Sequence, residues 1–208
     1  MKPIYRHIFS KHSAIMLLML CLALMSANAQ ITTKGKDFWF GFMENYNEDN
    51  LTLKVFISSE NNASGVISIP QNNWTQNFTV TANQSTIIAI PNNVGHSKGA
   101  GAQKTAIHVT TDNEVNVFAM NYRKESSDGT LVLPTNALGS NYYVMSYTPM
   151  INSEFLIIGV EANTKLDIIS PSGTKSTLTL NKGDAYQFKS KEDYTGYYIS
   201  SDAYGAKP

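Results

Sequence analysis

Val66-Ile67-Ser68-Ile69-Pro70 returns further along the chain as Leu166-Asp167-Ile168-Ile169-Ser170-Pro171, and its neighbours return with it. Phe78-Thr79-Val80 with its polar turn is answered by Leu178-Thr179-Leu180 and Asn181-Lys182-Gly183. Ile107-His108-Val109-Thr110-Thr111-Asp112 is answered by Tyr197-Tyr198-Ile199-Ser200-Ser201-Asp202. The offset drifts from about 100 to about 90 residues, as when strands are kept and loops change length. Apolar alternation interrupted by turn residues, with no apolar period of about 3.6, marks both stretches as β. The expected fold is all-β: two related sets of antiparallel strands, sandwich-like, with propeller-like repeats as the alternative.

Outward from that pair, residues 1–29 read as a secretory signal peptide. Lys2, Arg6 and Lys11 give a basic start, and Ala14 to Met25 is apolar. Ser26-Ala27-Asn28-Ala29 puts small residues at the −3 and −1 sites of a cut before Gln30. The apolar run is shorter than the roughly 20 residues that span a bilayer. Residues 30–208 then form the all-β part: a first set at about 51–122, a connector at 123–153 and a second set at 154–208. The second set has no apolar strand after Asp202 to match Val115–Met120, so it is expected to lack its last strand, as a fragment of a longer protein would.

Removing the signal changes the chemistry available. Cys21 is the single cysteine and lies inside it, so the mature chain has neither disulfide nor thiolate. Three of the 16 basic residues leave and all 16 acidic ones stay, a balance too weak to draw nucleic acid or an anionic membrane. Only His96 and His108 remain as histidines, spaced unlike a zinc-binding helical pair. Leu138-Gly139-Ser140-Asn141-Tyr142 lacks the second glycine of a nucleophile elbow. Glu154, Glu161 and Asp167 could pair for glycoside hydrolysis only if the fold sets them at the required separation. No catalytic, cofactor-binding or metal-ligating residue is assigned, and the chain is read as a non-enzyme without cofactors.

Several local features carry their own expectations. Asp37-Phe38-Trp39-Phe40-Gly41-Phe42-Met43 has bulky residues on both faces and predicts a central strand buried on both sides. Asn45, Asn47 and Asp49 alternate like calcium ligands, but Asn50 and Phe56 stand where an EF-hand needs Gly and Glu. That leaves a solvated turn, or a looser calcium loop. Asn92 to Lys104 reads as a mobile surface loop, because Gln103 replaces the glycine a phosphate loop places before Lys104-Thr105. Sequons at Asn50, Asn62, Asn73, Asn77 and Asn83 are expected by chance in so Asn- and Thr-rich a chain. Tyr142 to Tyr147 predicts an aromatic strand. Trp74, Tyr142, Tyr143, Tyr197 and Tyr198 are the candidate ligand contacts, each weighed against a place in the core.

Four places carry a resemblance. Gly35-Lys36-Asp37-Phe38-Trp39-Phe40-Gly41-Phe42 resembles the opening of the IgGFc-binding protein N-terminal domain family. Leu131-Val132-Leu133-Pro134 with Leu138-Gly139-Ser140-Asn141-Tyr142-Tyr143-Val144 is similar to its middle segment, and Phe155 to Pro171 to its next strand pair. Tyr194-Thr195-Gly196 before Ile199-Ser200-Ser201-Asp202, with Lys207-Pro208, resembles its late signature. The resemblance implies a secreted or cell-surface β-module for binding or adhesion, of bacterial type, at the N-terminal end of a larger surface protein. Its partner would be an extracellular protein or glycan, immunoglobulin among them. The alternatives are a carbohydrate-binding accessory module and a structural spacer. If residues 1–29 are a signal, N-terminal sequencing of the exported protein starts at Gln30; an exported chain that retains Met1 contradicts the cut.

Overall fold

The computed structural model describes residues 32–46, 50–147 and 152–201, and Met16 besides. Residues 1–31 apart from Met16, on which the expectation of a signal peptide rests, and residues 202–208, on which the expectation of an unfinished second set rests, lie outside the described residues. The described strands all fall within one compact unit.

The first strands are β1 (Gly35–Phe40), β2 (Thr52–Ser59), β3 (Ala63–Ile69), β4 (Trp74–Val80) and β5 (Gln84–Ile90). They continue with β6 (Gly101–Gln103), β7 (Ile107–Tyr122), β8 (Ser127–Val132) and β9 (Asn141–Tyr143). The later strands are β10 (Ser153–Ile158), β11 (Thr164–Ile169), β12 (Lys175–Leu180), β13 (Ala185–Ser190) and β14 (Tyr198–Ser201). All named strand pairs are antiparallel, as expected of an all-β chain built from short alternating runs.

The first sheet has the order β4-β3-β7-β2-β5, with β1 and β8 also on β7. It curls until its ends approach, where the Thr86 hydroxyl donates to the Thr79 carbonyl at 2.6 Å. Inside lie Phe38, Leu53, Val55, Ile57, Ile67 and Val109, all essentially inaccessible. Two smaller sheets, β10-β13-β6 and β12-β11-β14-β9, face each other across Phe155, Ile157, Leu166, Ile168, Leu180 and Ile199. That is sheet-on-sheet packing and not the radial blades of the propeller alternative. A third cluster, Trp39 with Ala106, Val160 and Ala185, joins the two.

Several local expectations need correction. β1 is buried on both faces, but among the described residues β7 is its one strand partner, so it is not central there. Its outer face is covered instead by side chains: Trp39 joins the cluster that includes Leu156 and Ile158. Residues 92–104 are not simply a mobile loop. They contain a helical turn, Asn92–Gly95, the buried pair His96 and Ser97, and β6, which pairs with β13. The aromatic strand stops at Tyr143. Asn73 and Asn83 have φ of 50° and 60°, which explains asparagine there by turn geometry.

Gly65 shows how tightly the first sheet is packed. A Cβ there would lie 2.4 Å from the Thr110 carbonyl oxygen and 2.6 Å from the Phe78 ring. Gly65→Ala should therefore cost about 1–3 kcal/mol. Urea denaturation would show a lower midpoint at an unchanged slope; an unchanged midpoint would mean the backbone has more room than this.

Candidate functional site

The segment after β1 is tied down by polar side chains. Phe42 bridges to His96, and the Phe42 carbonyl accepts the Ser97 N–H at 3.0 Å. The Asn45 N–H donates to His96 Nε2 at 3.1 Å, and Asn121 Nδ2 donates to the Met43 carbonyl at 2.9 Å. Asn45 Nδ2 donates to Asn121 Oδ1 at 2.9 Å and to the Ser126 carbonyl at 3.2 Å. Gln187, wholly buried on β13, accepts the Glu44 N–H at 3.0 Å and donates to the Gly99 carbonyl at 2.9 Å. A buried amide must find such partners, so these bonds hold the segment in one place.

Beyond these ties opens a basin of about 550 Å³, lined by residues that include Met43, Glu44, Tyr46, Arg123, Tyr147 and Lys189. Lys189 Nζ lies 2.8 Å from Glu44 and 3.3 Å from Glu154, so one ammonium bridges two carboxylates. Arg123 is mostly buried, 3.1 Å from Glu125, with its guanidinium 5.4 Å over the Tyr46 ring. Its Nε is buried without a hydrogen-bond partner among the described residues. The rim is apolar and open: Tyr46 is 57% exposed, Tyr147 68% and Met145 93%.

The two carboxylates are pushed apart. Burial works against the charge on Glu44, but the Lys189 ammonium and the Gly99 N–H outweigh it and hold its pKa below the ordinary glutamate value. Burial dominates at Glu154 and raises its pKa, despite Lys189. Burial also opposes the charge on Lys189, but its two carboxylates raise its pKa overall.

A second cavity of about 440 Å³ adjoins the basin, sharing Met43, Met145 and Glu154 with it. It lies beside β10, and its walls include Phe40, Gly41, Leu138, Tyr142 and Leu156. The side chains singled out from sequence fall in different surroundings. Tyr142 and Tyr143 line this second cavity. The Tyr142 hydroxyl accepts the Gly139 N–H at 2.9 Å and donates to the Gly139 carbonyl at 3.1 Å. Tyr143 is 74% exposed, with its ring 5.0 Å from that of Tyr198 and tilted 42° to it. Tyr198 donates to Asn141 Oδ1 at 2.7 Å. Tyr197 packs edge-on to Tyr194 against the second core, and Trp74 packs against the first core, away from the tyrosines.

The remaining candidates are dispersed. His108 sits 2.9 Å from Asp37 and stacks on Trp39 at 4.0 Å. Asp167 pairs with Lys175 at 2.6 Å, while Glu154 faces Lys189, so Glu154 and Asp167 serve separate ion pairs and do not form a hydrolytic couple. Among the described residues no group of three or more His, Cys, Asp or Glu side chains is placed to hold a metal. Asn47 and Asp49 lie outside the described residues, and Asn45 is engaged with Asn121 and Ser126. Sequence reasoning did not single out Tyr46, Arg123 or Lys189 as contacts. Of the sequence readings, the turn holding Asn45, Asn47 and Asp49 and the connector that begins at residue 123 touch this region.

Residues 128–208 match the family model described as IgGFc binding protein. The match covers β8 from Asp128, β9 to β14, and the Met145, Glu154 and Lys189 side of the basin. No curated protein and no solved structure matches the chain.

The opposed shifts give a direct check by carboxyl-carbon NMR. As pH falls, Glu154 should take a proton first, above the ordinary glutamate range, and Glu44 last, below it. The stability that Glu44 contributes is present above its unfolded pKa and is lost as pH falls through its depressed folded value. Lys189→Met should raise both midpoints. A shared midpoint for the two glutamates would contradict the bridged arrangement.

Proposed function

We propose that the chain is a non-enzymatic binding module of a secreted or surface protein, and that it recognises an extracellular protein through the basin. The observation that carries this reading is the match of residues 128–208 to the IgGFc binding protein model, a family of binding domains. The basin supplies what such a contact uses. Exposed Tyr46, Tyr147 and Met145 offer apolar and aromatic area, and the mostly buried Arg123 backs the Tyr46 ring with its guanidinium. The Glu44–Lys189–Glu154 bridge sets a fixed pattern of charge that a partner must complement. The larger protein around it would display this module outside the cell, after export by the signal at residues 1–29.

A protein partner suits the surface better than a glycan. A sugar platform needs exposed, coplanar rings, whereas Tyr143 and Tyr198 are tilted by 42° and Tyr197 is partly buried against the second core. Immunoglobulin Fc is the first partner to test, by surface plasmon resonance. Saturable binding is expected, weakened on the order of tenfold by Tyr147→Ala or Arg123→Ala, as for an interface anchor. Ile87→Ala, on exposed β5, should leave binding unchanged. Binding that ignores both basin variants would move the site elsewhere. Silence towards Fc and other extracellular proteins would favour the spacer.

A further inference from the structure

The charge of the basin has a sign, and it is negative. Among the described residues its lining carries four carboxylates, Glu44, Glu125, Asp128 and Glu154, against two cations, Arg123 and Lys189. Both cations are already engaged. Arg123 is mostly buried and lies 3.1 Å from Glu125, while Lys189 is shared between Glu44 at 2.8 Å and Glu154 at 3.3 Å. One ammonium does not offset two carboxylates, so Glu154, the more distant of them and mostly buried, is left short of positive charge. Its raised pKa reports the same shortfall, since burial outweighs what Lys189 returns. Asp128 stands exposed on β8 and has no ion-pair partner among the described residues.

An anionic group entering the basin would find no uncommitted cation and would meet two under-compensated carboxylates. A cation would find those carboxylates and aromatic faces beside them. The Tyr46 ring already holds the Arg123 guanidinium at 5.4 Å, so the basin uses this kind of contact within the protein itself. Tyr147 lines the same basin with its ring exposed, and no cation of the described residues sits over it. Met43 and Met145 add thioether surface for the aliphatic stem of a long basic side chain. A planar guanidinium stacks on a ring and forks onto a carboxylate, which an ammonium does not do.

We infer that the group the basin receives from its protein partner is a basic side chain, arginine in preference to lysine, set against Asp128, Glu154 and Tyr147. This rests on the basin being the recognition site and adds the sign and the chemical class of what the partner presents.

Two measurements separate this inference from the reading it rests on. The first needs no protein partner: Nα-acetyl-arginine amide is titrated into the full-length protein and followed by NMR. It should shift the Tyr46, Asp128 and Tyr147 resonances and lower the Glu154 titration midpoint, because a nearby cation favours the charged form. Nα-acetyl-lysine amide should act more weakly, and Nα-acetyl-glutamate amide should leave the basin unchanged. The second is surface plasmon resonance with immunoglobulin Fc. Asp128→Lys, at an exposed position, should weaken binding on the order of 30-fold, mostly in the on-rate, with a smaller loss at high salt. Glu114→Lys reverses a charge eight residues before Tyr122 on β7, about 25 Å along an extended strand, and should leave Fc binding within about twofold. Fc binding that is indifferent to Asp128→Lys, or equally sensitive to Glu114→Lys, overturns the inference and leaves the basin reading standing. An arginine amide that leaves the basin resonances unmoved, or moves them no more than the glutamate amide does, overturns it whatever Fc does. Arginine amide seated in the basin with no Fc binding supports the inference and removes Fc as the partner.

Discussion

The backbone ladder of β7 is the interaction on which the rest depends. Its 16 residues pair with β1 and β3 over the first half and with β2 and β8 over the second. The β1 register slips between Gly35 and Asp37, where partners jump from Val115 to Thr110. This irregularity lets one strand serve both halves of a curled sheet. Alternate residues along β7, Val109, Val115, Val117 and Ala119 among them, are buried. A one-residue slip would turn them all outwards, so the register is strongly specified. The end of β7 brings Asn121 beneath Met43 and leads into Arg123, so the basin is assembled by the same ladder.

Much of this was legible in the sequence, for a definable reason. Alternation has a period of two, and Leu51, Leu53, Val55 and Ile57 do point inward. The double-sided burial of Phe38, Trp39 and Phe40 was readable too. Pairing was not, because the cover on Trp39 comes from Leu156 and Ile158, far along the chain. The run from Tyr142 to Tyr147 looks like one strand but changes role after Val144. Val144 still exchanges bonds with Tyr197 and Gly196 at 2.9 Å, and then Ser146 turns in to cap Glu154. No local pattern announces a hydroxyl that replaces a strand partner.

The basin was hardest to foresee because its parts are scattered. Glu44, Arg123, Met145, Glu154 and Lys189 come from separate stretches, each ordinary by itself. Charged segments such as Glu44–Asp49 and Arg123–Glu125 are usually solvated surface. Here Gln187 and Asn121 fix them against the sheets, and Lys189 is held between two carboxylates. Aromatic content was a poor guide for the same reason: Trp74 and Tyr197 are large and polar-edged, yet both pack against cores.

The most direct measurement is a hydrogen-exchange footprint of the full-length protein with and without saturating immunoglobulin Fc. Recognition through the basin slows exchange at Glu44 to Tyr46, around Arg123 and at Met145 to Tyr147, and leaves the outer strands β4 and β5 unchanged. A footprint confined to β4 and β5, or no footprint at saturating Fc, would contradict it.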